Sequence, residues 1–288
     1  MSDAATDPVP PRAKSRVWRK LRAHRTAMFG AGLVAVFVAL ALAAPVLPIA
    51  DPAATDWGAI RQAPSAAHWL GTDELGRDQF SRMIWGARAS LLAGVVSVLI
   101  ALVIGVPLGI VAGYFGGWTD AAISRCTEAL LSVPFLILAI ALASFLGPSL
   151  TNAMIAIGIA ATPVFIRLTR GQAINVAAED YVESAHAIGL STPVILARYI
   201  FPNILPPVLV QSTLTVAGAI IAEASLSFLG LGQQPPAPSW GAMLNTAKGF
   251  MVQAPWMALW PGIAIFLVVL GFNLLGDGLR DALDPRED

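Results

Sequence analysis

The side chains best suited to metal binding or acid–base catalysis are few and far apart. The three histidines are His24, His68 and His186, and the single cysteine is Cys126. Long apolar stretches separate the histidines, so they cannot share a metal ion or a proton-transfer role. A lone cysteine cannot form an internal disulfide. We therefore predict no catalytic residue and no metal site.

Nucleotide binding through a phosphate loop is also excluded. Such a loop needs a lysine followed by Ser or Thr after a glycine-rich turn. The only lysines are Lys14, Lys20 and Lys248, and only Lys14 precedes a serine, after residues that lack the required glycines. We expect no cofactor in this chain.

Glu223 is the one carboxylate well inside a long apolar segment. A charged group at mid-membrane costs about 2.5 to 3.5 kcal/mol on insertion scales, so it normally faces a cavity or a partner. Two interpretations remain open. Glu223 lines the outer mouth of a pathway, or it forms a salt bridge with Arg82 or Arg88; we favour the salt bridge, with Arg82 as partner.

A charged segment, GTDELGRDQFSR at 71–82, lies between two long apolar runs. Gly71 and Gly76 permit turns, and Asp78 can begin a helix that leads into the next apolar run. One interpretation is a solvated loop with helix-start chemistry. The other is an outer gate or docking element in which Arg77, Asp78 and Arg82 contact the proline-rich loop at 233–240 or a partner protein.

Composition indicates the elements that must position these residues. The chain has 288 residues, of which 56% are hydrophobic and only 12% charged, with a mean hydropathy of +0.70. About a quarter of the residues are charged in an ordinary soluble domain. The prediction is an all-α membrane protein with six transmembrane helices, at 27–49, 90–111, 129–146, 150–168, 204–228 and 257–275. Prolines at 107, 134 and 163 predict kinks in three of them.

The distribution of basic residues predicts the orientation. If the N-terminal tail is cytoplasmic, thirteen Lys and Arg residues lie inside and five outside, which favours both termini in the cytoplasm. Net charge is zero, so no nucleic-acid partner is expected. The predicted organisation is a partly disordered tail at 1–26, the first span and an outer loop at 27–89, and a five-span core at 90–288.

The cytoplasmic loop at 169–203 contains two predicted short helices. Residues 177–188 are good helix formers, and Gly189 stands where a left-handed residue ends such a helix. Thr192 and Pro193 supply an N-cap and first-turn proline for a second helix, which Phe201 and Pro202 close. Small residues near Gly189 would let another protein surface approach closely.

This loop resembles the EAA loop of ABC importer permeases. Glu183, Ala185, Gly189 and Pro202 match that pattern, and Ser184 replaces its first alanine. Three further segments, at 68–91, 223–244 and 273–286, look like the second permease of the dipeptide, oligopeptide and nickel importers. The resemblance covers the chain from its first span to its C-terminus.

The resemblance implies a type I ABC importer permease fold in the bacterial cytoplasmic membrane. Its partners would be a sister permease in a heterodimer, two ATP-binding subunits that carry ATP and Mg²⁺, and an extracytoplasmic solute-binding protein. The loop would couple to the ATPases through the five residues Glu183, Ser184, Ala185, Gly189 and Pro202, with Glu183 and Gly189 in direct contact.

The implied cargo is di- or oligopeptides, although nickel chelates, glutathione and other small solutes use the same scaffold. An ion-coupled secondary transporter is the alternative from a different class. It would require acids near the membrane midplane, and the sequence has no such cluster.

Overall fold

The computed structural model describes residues 19–283, and this part of the chain is almost entirely helical. The one β-type pairing among the described residues is the bridge between Thr72 and Asp78. A π-helical turn, Leu196–Ile200, joins the helix Thr192–Ile195 to the helix Phe201–Phe228. The helices are α1 Arg25–Ala43, α2 Gln79–Phe115, α3 Gly117–Leu131, α4 Phe135–Leu146, α5 Leu150–Ala177, α6 Asp180–Ala187, α7 Thr192–Ile195, α8 Phe201–Phe228, α9 Trp240–Ala247 and α10 Trp256–Leu283.

Five helical segments are long and apolar enough to cross a membrane, and α3 with α4 forms a sixth crossing if the bent pair counts as one. The third span, predicted at 129–146 with a kink at Pro134, is broken there into two helices that meet at 91°. Pro134 is extended at ψ 133° and precedes the first residue of α4. A proline disfavours helical backbone in the preceding residue and offers no N–H, so α3 ends before it. Pro107 and Pro163, in contrast, lie inside continuous helices.

The most extensive helix pair is α2 against α5, and glycines allow its close approach. Gly105, Gly109 and Gly113 repeat every four residues and so share one face of α2. A Cβ added at Gly105 would lie 2.7 Å from Cβ of Phe165, and one at Gly109 would lie 2.6 Å from the carbonyl oxygen of Ile166. In lipid, small residues of this kind let helix backbones pack without intervening side chains.

Helix α2 connects the two ends of the molecule. Its 37 residues correspond to about 55 Å at 1.5 Å per residue, which exceeds a hydrocarbon core of about 30 Å. Its first turn joins residues 44–78, which we call the cap. Near its last turn, the hydroxyl of Tyr114 lies 3.0 Å from Nε2 of His186 in α6. The cap and the 169–203 segment therefore lie at opposite ends of the bundle.

Helix α10 packs between α1 and α8 and runs from the cap end to the other end. At its start, Nε1 of Trp256 donates to the carbonyl oxygen of Thr72 at 3.1 Å. At its far end, Asp281 lies 3.1 Å from Nε2 of His24, just before α1. The beginning and end of the described chain thus lie together, at the end opposite the cap. The predicted tail at 1–26 falls largely outside the described residues.

Candidate functional sites at the two ends of the bundle

The 169–203 segment presents one face of α6 and buries the other. Val182 and Ala185, three residues apart, are fully and almost fully buried. Glu183 and Ser184 are exposed. Helical spacing produces this division, since residues three apart share a face. Ala185, which the resemblance places in the coupling motif, is 2% exposed and packs into this chain.

Gly189 ends α6 with a left-handed backbone, at φ +78°, as the sequence predicts. A Cβ there would meet no atom within 4 Å, so the glycine is needed for its backbone conformation and not for space. The neighbouring Ile188 is 74% exposed. Ile188 therefore places an exposed apolar side chain beside the polar Glu183 and Ser184 at the end of α6.

The second helix of this segment differs from the prediction. Its N-cap residue is Ser191 rather than Thr192, and Phe201 and Pro202 do not close it. The helix continues through the π turn into α8, where the amide of Phe201 donates to the carbonyl oxygen of Leu196. A π turn widens the helix by one residue, which accommodates the ring of Pro202 and its missing N–H. Pro202 itself remains exposed.

Aromatic contacts attach α6 to α2 and to the π turn. Tyr114 of α2 stacks on His186 of α6 with ring centres 5.9 Å apart, in addition to their hydrogen bond. Tyr181 stacks on Tyr199 at 6.4 Å. The sequence interpretation missed both pairs, because no local pattern links residues on different helices.

At the opposite end, the cap has a polar centre built on Asp73. Its carboxylate accepts hydrogen bonds from the backbone amides of Leu75 and Arg77, each at 2.9 Å. It also binds Nε of Arg77 at 2.6 Å and lies 3.3 Å from Nε of Arg82. Arg77 reaches Glu74 as well, at 2.7 Å. Burial and the adjacent Asp73 carboxylate raise the pKa of Glu74.

The two arginines therefore hold the cap together instead of facing a partner. Both Arg77 and Arg82 are only 6% exposed. Arg82 donates to the carbonyl oxygen of Pro52 at 2.7 Å and, more weakly, to that of Pro236 at 3.4 Å. The expected contact with the proline-rich loop is thus made by Arg82 alone. Because both arginines are buried, they do not form a docking surface, and the segment at 71–82 is not a solvated loop.

Asp78 performs the predicted helix-start role. Its side chain accepts from the amide of Ser81 at 2.8 Å, which caps α2. The other carboxylate oxygen lies 3.0 Å from Nδ1 of His68. The local sequence predicted this N-cap of α2, because the amide donor of Ser81 is only three residues from Asp78.

Glu223 does not pair with an arginine, so the predicted salt bridge to Arg82 is wrong. The carboxyl group is fully buried on α8 and accepts from the hydroxyls of Ser90 at 2.9 Å and Ser227 at 2.7 Å. Arg82 is instead bound to Asp73. Two hydroxyl donors satisfy a buried carboxyl at less desolvation cost than a second buried charge. Glu223 thereby fastens α2 to α8.

Trp240 is a further structural residue that sequence reasoning missed. It is fully buried at the start of α9, donates from Nε1 to the carbonyl oxygen of Met83 at 3.1 Å, and packs edge-on to Phe37. Ser239 before it caps α9. The one local signal was this serine, a typical N-cap residue.

Among residues 19–283, no group of three or more His, Cys, Asp or Glu side chains is arranged to hold a metal ion.

Comparison with known proteins decides the family. The family described as binding-protein-dependent transport system inner membrane component matches residues 105–288. The chain belongs to this family of ABC importer permeases. The N-terminal transmembrane domain of oligopeptide transport permease C also matches, at residues 15–64. An ion-coupled secondary transporter is therefore set aside, and ATP hydrolysis belongs to separate subunits of such importers.

Several relatives of this permease match it over nearly its whole length. The dipeptide transport system permease protein DppC of Alkalihalophilus pseudofirmus is 46% identical over 93% of this chain and 88% of that protein. The glutathione transport system permease protein GsiD of Pectobacterium atrosepticum is 45% identical over 93% and 90%. The probable D,D-dipeptide transport system permease protein DdpC of Escherichia coli K12 is 44% identical over 94% and 90%.

A solved structure confirms the fold. An inward-facing conformation of the MetNI methionine ABC transporter matches with a TM-score of 0.57, at 21% identity, over 71% of this permease and 98% of that chain.

Proposed function

We propose that this permease imports di- or oligopeptides across the bacterial cytoplasmic membrane, as one half of a heterodimer with a sister permease. Two ATP-binding subunits carrying ATP and Mg²⁺ and an extracytoplasmic solute-binding protein complete the importer. The cargo assignment is supported by relatives named for dipeptide and D,D-dipeptide transport. Glutathione is the second candidate, because other relatives of similar identity are named for it.

The proposed orientation places the 169–203 segment and both termini in the cytoplasm. It is supported by the excess of basic residues at that end and by the contact of His24 with Asp281. The exposed surface formed by Glu183, Ser184 and Ile188 then faces the ATPases. Closure of the ATPases around ATP would pull on α6 and rock the bundle from inward-open to outward-open.

The experiment that tests the coupling uses the whole importer in proteoliposomes. Glu183→Lys reverses a charge on the exposed face of α6, and Gly189→Pro forbids the positive φ that ends this helix. Both variants should lose ATP-dependent uptake while the complex still forms a membrane bundle. Asp277→Lys makes the same kind of charge change at an exposed site of α10 and should transport normally. Normal uptake by both α6 variants would contradict the proposal.

The cargo is tested separately. The cognate binding protein is purified and its bound ligand is identified by mass spectrometry, followed by uptake of a labelled dipeptide in competition with glutathione. Peptide import predicts that dipeptides compete and glutathione does not. The reverse result would assign glutathione and leave the coupling mechanism unaffected.

A further inference from the structure

Helices α3 and α5 leave between them a groove with a polar end and an apolar end. The polar end is a cavity of about 450 Å³, lined in part by Ser124, Glu128, Ser132 and Arg167. The apolar end is a cavity of about 410 Å³ whose wall is almost entirely hydrocarbon, including Leu108, Cys126 and Ile159. Thr127 and Ile166, both buried, line both cavities, so the two adjoin each other where α3 contacts α5.

The polar end carries one positive charge that is not neutralised within the described chain. Arg170 binds the carboxylate of Asp120, and Glu128 pairs with Arg125 at 3.0 Å. Arg167 is exposed in the cavity wall and has no ion pair with any residue among 19–283. The uncompensated guanidinium suits an anion that offers two oxygens, as a phosphate does.

The depth of the groove follows from its neighbours. Trp118, in the first turn of α3, is 89% exposed, and tryptophans of this kind mark the headgroup level of a bilayer. Asp120 and Arg170 lie beside it, and Arg167 is about one turn further along α5. The cavity lined by Leu108, Cys126 and Ile159 continues from there into the hydrocarbon region.

We propose that this groove binds one anionic phospholipid. The phosphate lies against Arg167, and one acyl chain fills the apolar end along Cys126. A lipid fits both parts, because its anionic headgroup can bind the unpaired cation and its acyl chain can fill the adjoining apolar channel. An extended peptide would leave its backbone groups unpaired in the apolar half. The cytoplasmic leaflet, where the proposed orientation puts Arg167, is the anionic one.

The test uses the complete importer in nanodiscs made of phosphatidylcholine with a minor share of phosphatidylglycerol. Lipid that remains bound after exchange into detergent is quantified by mass spectrometry for the wild type, Arg167→Gln and Arg167→Lys. We expect about tenfold less phosphatidylglycerol with Arg167→Gln and partial retention with Arg167→Lys, since the loss of a charge-assisted contact is of that order. Arg280→Gln removes an exposed arginine of α10 outside the groove and should retain as much phosphatidylglycerol as the wild type.

A second measurement remains informative if Arg167→Gln fails to assemble. Cys126 lies in the apolar wall, so alkylation of this one cysteine, read by peptide mass spectrometry, reports whether an acyl chain covers it. In wild-type importer, phosphatidylglycerol should slow the alkylation of Cys126 relative to pure phosphatidylcholine. Equal rates in the two lipids, or crosslinking of Cys126 to the sister permease, would overturn the proposal. So would equal retention of phosphatidylglycerol by Arg167→Gln and wild type. None of these outcomes depends on the cargo.

Discussion

At the scale of single residues, Asp73 organises the cap. One carboxylate neutralises two buried arginines and accepts two backbone amides, so four donors converge on two oxygens. The two backbone amides are neutral donors, whereas the two guanidinium groups are buried charges that need a negative partner. If the carboxylate is removed, the buried Arg82 loses this ion pair and Arg77 keeps only the one with Glu74.

We predict that Asp73→Asn destabilises the permease severely. Removing one member of a buried ion pair costs roughly 3 to 5 kcal/mol, because the partner charge stays buried. The measurement is the thermal unfolding midpoint of the purified importer. Asp51→Asn is the matched control: Asp51 is exposed in the same cap and accepts from the amide of Ala53, and its loss should cost about 0.5 kcal/mol at most. Equal midpoints for both variants would contradict the role of Asp73.

Glu74 predicts that the thermal stability of the permease depends on pH. Burial first, and then the Asp73 carboxylate, raise its pKa above the ordinary value of 4.5. Folding thus favours the protonated acid, so its stabilising contribution is complete below pH 4.5 and is lost as the pH rises through the raised pKa. Glu74→Gln keeps the neutral form at every pH. The thermal midpoints of variant and wild type should agree near pH 4.5, and the variant should gain as the pH approaches neutrality. A constant difference across this range would argue against a raised pKa.

At the scale of elements, α2 is defined by its glycine face. The repeat at 105, 109 and 113 leaves the backbone of α5 in direct contact with that of α2. This contact carries the largest helix interface of the bundle, so its tolerance for added volume is low.

We predict that Gly109→Ala is poorly tolerated and that Gly218→Ala is not. A methyl group at Gly109 would meet Thr169 and the backbone of Ile166, so α2 and α5 must separate, at a cost of about 1 to 3 kcal/mol. Gly218 lies on α8 with nothing within 4 Å of an added Cβ, and alanine there should be neutral or slightly stabilising. Yield and thermal midpoint of the purified importer distinguish the two. A harmful Gly218→Ala would show that backbone flexibility, rather than contact, decides the effect.

The elements also show where sequence reasoning succeeds. Asp78 and Gly189 were predicted because N-capping and left-handed helix ends depend on atoms within a few residues. A kink at Pro134 was predicted but not its 91° angle, and the continuous helix through Pro202 was not predicted, because prolines gave opposite results in different packing. The partners of Arg82 and Glu223 were misassigned for a related reason. Opposite charges at one end of a bundle are a weak guide when serine hydroxyls or a nearer carboxylate are available.

At the scale of the whole molecule, α2 contacts both candidate sites, the cap and the 169–203 segment. Its first turns are bound to the cap through Arg82 and to α9 through Trp240, and near its last turn Tyr114 contacts His186 of α6. A displacement of α6 by a motor would therefore act directly on a helix that reaches the opposite face.

We predict that Tyr114→Ala uncouples ATP hydrolysis from transport more than Tyr114→Phe does. Phenylalanine keeps the ring stacked on His186 and loses only the hydrogen bond, whereas alanine removes both contacts. In proteoliposomes, cargo transported per ATP hydrolysed should fall slightly with Tyr114→Phe and several-fold with Tyr114→Ala. If hydrolysis and transport fall in proportion, the defect lies in assembly or ATP binding and the proposed link is wrong.

The long-range bonds of the cap also set the order in which the protein can be completed. The carbonyl oxygen of Thr72 in the cap bonds to Trp256, which is synthesised 184 positions later. The carbonyl oxygen of Met83, at the adjoining start of α2, bonds to Trp240, which is synthesised 157 positions later. At about 5 to 20 residues per second of synthesis, the cap stays open for roughly ten to forty seconds after its own residues leave the ribosome. During that interval the Asp73 cluster, whose partners all lie within ten residues, can already form, but the cap still lacks its long-range bonds. Nascent chains stalled before α9 should therefore expose the cap to added protease, and chains released after α10 should not.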